Sequence, residues 1–545
     1  MRPLLVLAAA VLSGACRGAP ADTADRAALD SIRAESIRAH MQFLADDVLE
    51  GRRTGERGYD IAARYVAAQM TDIGLEPAFD GSWYQAVPFQ TSEIVGDATL
   101  VLEGGGSRRS LVRDQDFVMA PSAFDEQVSV EAPVVYVGYG ITAPETGHDD
   151  YAGVDVKGRI VAMLSGAPAT FPNHLRAFYS QSREKNGNAA ARGAVGALVF
   201  SDPAEDKRFP FDLIVRGGRT PDYHWIDESG TPVGVPRALQ FRARLSRSGA
   251  EALVAHSGRA LEDLFAGAAS GQLGGVPLNV SARVELTSRH GRVESPNVAG
   301  ILRGSDPARR DEYLTYVAHL DHLGVSPGGE GDRIHNGAYD NASGVAIMLE
   351  VADAFAQLRP RPARSILFLA VTGEEMGLLG AEYFVHRPPV PVESIVANIS
   401  LDMFLMLFPL RDVIAFGAEH STLGAVAERA ATELGVAVSP DPIPEEVIFI
   451  RSDQFRFVEK GVPALFLVHG LESGDPSRNG ATITARWRRE RYHRPGDDMD
   501  QAMDFQAGVD FGKLNLLIGR DIADATARPS WNEGDFFGGR FTSAR

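Results

Sequence analysis

Apolar and polar positions divide the chain into three textures. From Ala27 to about Leu75 the apolar residues recur at helical spacing. Ile32, Ile37, Met41, Leu44 and Leu49 form one stripe, and Ile61, Ala62, Tyr65, Val66 and Met70 a second. The break between them, Glu50-Gly51-Arg52-Arg53-Thr54-Gly55, has loop chemistry. Around 95–290 the runs become short and β-rich: Val134–Val137, Ile160–Leu164, Ala197–Phe200 and Leu278–Leu286. Gly, Pro and Asp clusters separate them, one helix is expected near Ser182–Arg192, and the whole predicts a β-rich domain of its own. From Asn297 strands alternate with helices. The strands are Val298–Leu302, Leu314–Ala318, Ser365–Val371, Val396–Leu401, Val413–Phe416 and Ala464–Val468. The helices are Ser343–Leu358, Gly377–His386 and Thr422–Leu434. This alternation predicts an α/β fold, a mixed, mainly parallel sheet flanked by helices, with ligands beyond the carboxyl ends of the strands.

The N-terminus has a different pattern. Arg2 precedes nine apolar residues, Leu4–Leu12, and then Ser13-Gly14-Ala15-Cys16. Nine residues are far short of the ~20 that span a bilayer, so 1–16 is expected to be a signal peptide and 17–26 a polar tether. Cys16 resembles the lipidated cysteine of a bacterial lipobox, with Ser13 where that pattern has Leu. The expectation is an exported protein on the periplasmic side, anchored through Cys16. Ordinary cleavage after Ala15, giving a periplasmic or secreted form, is the alternative.

Composition narrows the functions. A chain of 545 residues, set against domains of ~150, predicts two or three domains. Apolar residues are 44% and charged residues 23%, ample for a packed core. A formal charge of −18 makes the chain a poor candidate for a non-specific nucleic-acid binder, which needs a basic footprint. The single cysteine can form neither an internal disulfide nor a Cys-based zinc knuckle, so any metal must sit on His, Asp and Glu.

Such residues gather at or just after predicted strand ends: His319-Leu320-Asp321-His322, Asp340-Asn341-Ala342-Ser343-Gly344, Glu374-Glu375-Met376-Gly377 and Leu401-Asp402. Tyr492-His493 lies downstream. Singly, each has an ordinary structural role, such as the helix N-cap that an Asp-Asn pair supplies. Together they place several carboxylates at one sheet edge, which is costly without a cation. Two His and three carboxylates suit a pair of zinc-type ions bridged by one carboxylate, with a fourth carboxylate free to move a proton. Asp321, two residues after His319, can accept from the other ring nitrogen and fix its tautomer.

The order of these motifs resembles the M28 clan of zinc-dependent aminopeptidases and related exopeptidases. His-x-Asp, Asp-Asn-x-Ser-Gly 21 residues on, Glu-Glu-x-Gly, a strand-end Asp and a late His all occur in sequence. Phe43-Leu44-Ala45-Asp46-Asp47 and Glu50-Gly51-Arg52 also look like the family, as does Ser452-Asp453-Gln454-Phe455, which receives no chemistry. The resemblance implies that Asp340 bridges two divalent ions, of zinc type by ligand set and family. His319 and Asp402 would complete one site, and Glu375 and His493 the other. Glu374 would be the general base, and Tyr492 would donate to the tetrahedral intermediate.

The middle of the chain resembles a protease-associated (PA) domain. The signal is Asp149-Asp150-Tyr151-Ala152-Gly153-Val154, continuing to Val161, then Lys185, Ala189 and Gly193–Ala197. The expected organisation is an N-terminal segment of the peptidase region at 27–125, a PA-like insertion at 126–286, the metallopeptidase domain at 287–525 and a tail at 526–545. The expected function is an exported metallo-aminopeptidase acting on peptide substrates, a hydrolase using a metal-activated water. Carboxypeptidase-type and glutaminyl-cyclase-like enzymes share the fold and stand as alternatives, as does a non-catalytic binding protein. Nothing in the sequence points to a nucleic-acid partner or sets the oligomeric state, and the only expected membrane contact is the lipid anchor.

Overall fold

The computed structural model describes residues 23–271, 274–328 and 330–542. The expected signal peptide, Cys16 and residues 17–22 of the tether lie outside the described residues. The last tether residues open a helix, Thr23–Ser31. Among the described residues no helix is long and apolar enough to cross a membrane.

Six strands carry the peptidase-like half: β1 Val276–Leu302, β2 Tyr313–His319, β3 Ser365–Val371, β4 Ile395–Ser400, β5 Asp412–Phe416 and β6 Ala464–His469. β2 lies between β3 and β4, parallel to both, and β4 pairs in parallel with β6. β1 and β5 close the set antiparallel to β3 and β6. Every residue of β2, β3 and β4 is buried, which is why these strands read as unbroken apolar runs. One face packs against the helices Ser343–Gln357, Phe505–Asp524 and Arg57–Ile73 and, beyond the first two, Ala34–Leu44. Leu379–His386 and Gln454–Val458 cover the other, through Phe384 and Phe457.

Phe505–Asp524, 20 residues long, was not expected as a helix. Its glycines dilute the helical signal, and contact explains them. A Cβ on Gly519 would lie 2.0 Å from the Tyr316 hydroxyl, which donates to Asn515 O at 2.6 Å. The sequence also suggests separate strands at Leu278–Leu286 and Val298–Leu302, but β1 is one 27-residue strand. The polar stretch between them is held extended because Tyr84–Ile94 pairs with Ser288–Val298.

β1 therefore belongs to two sheets. Its first half pairs with Thr99–Gly104 and Gln127–Tyr136 in the middle domain. That sheet continues in parallel through Ile160–Leu164, Gly196–Phe200 and Phe241–Leu245. Its core runs on into the peptidase half through Phe416, Phe449, Phe455 and Phe466. The segment expected only as a tail completes this junction. Phe537 is fully buried, with ring centroids 4.9 Å from His420, 5.5 Å from Phe449 and 5.9 Å from Phe455. Arg540 lies 4.2 Å over Phe178 of the middle domain and 3.6 Å from Glu184. Truncating a buried Phe typically costs about 3–5 kcal/mol. Phe537→Ala should lower unfolding stability by that order in urea titrations followed by fluorescence; an unchanged midpoint and slope would show that the tail does not bind the halves together.

Candidate metal centre

Because β2, β3 and β4 are parallel, their carboxyl ends share one edge. β2 ends on His319, β3 leads into Glu374-Glu375, and β4 leads into Asp402. His319 Nε2 lies 3.1 Å from Asp402 Oδ1 and 3.2 Å from Asp340 Oδ1. The other oxygen of Asp340 lies 3.2 Å from His493 Nε2, which is 3.3 Å from Glu375 Oε2. Asp340 thus presents one oxygen to each of two nitrogen–oxygen groups. His322 stands beside the second: its Nδ1 is 2.6 Å from Glu375 Oε1 and 4.0 Å from Asp340 Oδ2. Ligand atoms of His319, Asp340 and Asp402, and of His322, Asp340 and Glu375, all fall within metal-sized clusters.

Backbone bonds hold these side chains. Asp497 accepts from the Tyr339 and Asp340 amides at 3.0 Å. Asn341 donates to Leu401 O at 2.9 Å and accepts from Gly344 N at 3.0 Å and Met403 N at 3.1 Å, joining the Asp340 and Asp402 loops. Asp321 accepts from Glu374 N at 3.1 Å and Glu375 N at 3.3 Å, and from Thr54 Oγ1 at 3.1 Å. Behind the centre lies Arg52, fully buried. Its guanidinium donates to the carbonyls of Leu320 (2.9 Å), Asn336 (2.6 Å), Gly337 (3.0 Å) and Leu44. Glu50, Gly51 and Arg52 all have left-handed backbones, and a Cβ on Gly51 would lie 2.5 Å from His335 O. That close approach requires glycine.

The electrostatics are those of crowded acids. Burial, reinforced by Asp402 and Glu375, raises Glu374 well above the carboxylate range. Burial pushes Asp453 up to about 8 and Asp321 and Asp497 each up to about 6. Asp340 is equally buried, yet His319 and His493 hold it well below its ordinary value. Burial opposes the charged form of His493, but Glu375 and Asp340 raise it to about 9. Burial brings Arg52 down to about 10, against the pull of Asp340, Asp497 and Asp321.

All five expected ligands, His319, Asp340, Glu375, Asp402 and His493, meet here, and Glu374 lies among them. Tyr492 stacks on His493 at 3.8 Å between ring centroids, and burial raises its phenol well above its ordinary value. Asp321 departs from the expected contact. Its carboxylate is 4.0 Å from His319 Nδ1, whereas its main-chain oxygen lies at 3.1 Å. The carboxylate turns instead to the Glu374 and Glu375 amides, so it positions that loop. Sequence reasoning assigned no role to His322, Asp497, Arg52, Thr54 or Asn341. All stand in or beside motifs already singled out, but their roles depend on which backbone groups the fold brings to them. Among the described residues, fully buried Asp453 has no hydrogen-bond partner on either carboxylate oxygen, and His322 Nε2 is likewise unpartnered. Uncompensated acids and two groups of nitrogen and oxygen donors fit divalent cations of zinc type.

Residues 297–516 match the model of peptidase family M28, and residues 130–239 match that of the PA domain. The chain is 24% identical over 412 residues to a "Glutamate carboxypeptidase 2 homolog" of Caenorhabditis elegans, covering 66% of this chain and 49% of that protein. It is 32% identical over 269 residues to a "Probable zinc metalloprotease" of Pyrenophora tritici-repentis, covering 44% and 59%. The chain thus spans about half the length of the curated relatives it matches. It shares its fold with the aminopeptidase from Aneurinibacillus sp. strain AM-1: TM-score 0.55, 18% identity, 92% of this chain and 97% of that one.

The raised groups set a pH dependence for metal-free protein. Asp453, at about 8 when folded against ~3.9 unfolded, opposes folding increasingly as pH rises to 8. His493, at about 9, stabilises the fold fully below ~6.5, and this is lost as pH rises through 9. Both act in one direction. EDTA-treated protein should melt lower at pH 8.5 than at pH 6, and zinc should raise Tm more at pH 8.5, where fewer protons compete for its ligands. Equal zinc shifts at the two pH values would contradict this account.

Proposed function

We propose that this chain, whose residues 297–516 match peptidase family M28 and are preceded by a PA domain at 130–239, is an exported zinc-dependent aminopeptidase that hydrolyses N-terminal residues from peptides. The observation that carries this reading is the double use of Asp340, one oxygen toward His319 and Asp402 and the other toward His493 and Glu375. On this reading His319, Asp340 and Asp402 hold one ion, and Asp340, Glu375 and His493 a second, with His322 orienting Glu375. Bound there, the ions would polarise the scissile carbonyl and make water more acidic. The remaining work falls to the chain itself. Glu374, adjacent to a ligand and raised by burial, is suited to take a proton from water and deliver it to the leaving amine. Asp321 fixes its position through the Glu374 amide. Tyr492, kept neutral, retains a proton to donate to developing negative charge on the carbonyl oxygen.

Glu374→Gln keeps the shape but cannot accept the proton. It should retain two zinc ions per chain by elemental analysis and lose about 10²–10⁴-fold in kcat on aminoacyl p-nitroanilides. Glu375→Gln should instead lower zinc content. Near-normal turnover by zinc-replete Glu374→Gln protein would refute the mechanism, and release of C-terminal residues from N-acetylated peptides would move the reading to a carboxypeptidase. The proposal includes anchoring through Cys16, since stable attachment takes more than one acyl chain and a lipidated N-terminal cysteine supplies them. Cys16→Ser should move the protein from the membrane fraction to a soluble exported form; an already soluble parent would leave ordinary cleavage.

A further inference from the structure

An ion pair joins the middle domain to the helix that follows the Glu374 loop. Arg183, on the helix Ser182–Ala191, lies 2.6 Å from Glu382 on Leu379–His386. Two other pairs across this boundary, Arg387–Glu228 and Arg208–Glu446, have partly or largely exposed carboxylates, where an ion pair is worth little. Glu382 is buried, so its charge must be answered. The surroundings are shaped for this contact. Gly234 has a left-handed backbone, and a Cβ there would lie 2.7 Å from Arg183 Nη2. Trp225 of the middle domain packs on Tyr383 and His386 of the same helix, at 5.4 and 5.5 Å between ring centroids.

Glu382 has a second cation. Arg456, on Gln454–Val458, lies 4.0 Å from the same oxygen, Oε2. Burial opposes the charged form of Glu382, yet Arg456 and Arg183 hold its carboxyl below the ordinary value. Arg456 is itself buried and divides its donors. Nη1 goes to Glu459 at 2.8 Å, and Nη2 donates to the main-chain oxygen of Gly377 at 3.2 Å.

Gly377 closes the turn that carries Glu374 and Glu375. Its amide and that of Leu378 donate to Glu374 O at 2.8 and 2.9 Å. Asp321 accepts from the amides at the start of this turn, and Arg456 donates to the carbonyl at its end. Glu375 is held further by His322 Nδ1 at 2.6 Å. Among the described residues the Glu374 carboxylate has no hydrogen-bond partner, so its place depends on the backbone of the turn.

We infer that Arg183 is a positioning residue for Glu374: by sharing the charge of Glu382 it leaves Arg456 on the Gly377 carbonyl, and the middle domain thereby fixes the turn that carries the proton-moving group. The inference rests on the peptidase reading of the metal centre. Without Arg183, the buried Glu382 carboxylate keeps only Arg456 and draws that guanidinium off Gly377. The turn then loosens at its end and Glu374 loses its alignment, and a misplacement of about 1 Å can cost ~10²-fold in rate.

The test uses zinc-loaded, full-length protein. Arg183→Gln should keep the parent's zinc content, lower kcat on aminoacyl p-nitroanilides about 10–100-fold and leave KM within about twofold. Arg183→Lys, which preserves the charge, should recover most of the loss. Hydrogen exchange, measured by mass spectrometry on peptides spanning 374–379, should quicken about tenfold in Arg183→Gln while β2 and β3 stay unchanged. Two backgrounds separate positioning from general loosening. In Glu382→Gln nothing draws Arg456 away, so adding Arg183→Gln should cost no further kcat. In Glu374→Gln the group being positioned is already disabled, so adding Arg183→Gln should again cost nothing further. An undiminished loss in either background overturns the inference, as does an unchanged kcat or a loss carried by KM in Arg183→Gln alone. Should that variant fail to fold, the comparison of Glu382→Gln with its Arg183→Gln double still decides. Unchanged exchange overturns the inference whether or not the parent hydrolyses peptides. Quickened exchange in a variant of an inactive parent would count against the peptidase reading alone.

Discussion

The structure depends on one carboxylate. Asp340 offers its two oxygens to two different imidazoles, and everything at the sheet edge is arranged to keep it there. Asp321, Glu374, Glu375, Asp402, Asp453 and Asp497 all lie nearby, and four of them are pushed above their ordinary range. Acids crowded at this density repel one another, and burial removes the water that would screen them. The fold answers with backbone amides: Asp497 takes two from the Asp340 loop, and Asp321 takes two from the Glu374 loop. The remaining uncompensated charge makes the centre suited to cations.

The same requirement explains why residues far upstream belong to the site. Arg52 places a full positive charge behind the acids and binds four carbonyls from three separate segments. Thr54 joins the Asp321 carboxylate to the Gly373 amide. The chain reaches these positions by three successive left-handed residues, one of them a glycine pressed against a carbonyl. The N-terminal segment is therefore part of the metal centre as well as a cover for the helical layer. Its separation from 297–520 in sequence reflects the insertion of the middle domain.

That insertion is tied down more firmly than a domain on two linkers. β1 runs unbroken through both sheets, and the aromatic cluster around Phe537 merges the two cores.

The elements and residues divide by how local their causes are. The buried parallel strands were legible because complete burial leaves an unbroken apolar run, and the candidate ligands were legible because strand ends concentrate His, Asp and Glu in short motifs. His319, Asp340, Glu375, Asp402 and His493 could be read as a set from chemistry and order. What could not be read depended on partners distant in sequence. The helix 505–524 carries glycines whose reason is the Tyr316 ring beneath it, and the polar middle of β1 is a strand because 84–94 lies beside it. The Asp321 carboxylate serves the Glu374 loop instead of the His319 ring because that loop's amides come closer. By itself, then, the sequence determined the sheet's central strands and the donor atoms of the centre, because burial and ligand chemistry act residue by residue. Only the tertiary structure decided what supports those donors and what charge surrounds them, because hydrogen bonds and fields depend on proximity that no local pattern encodes.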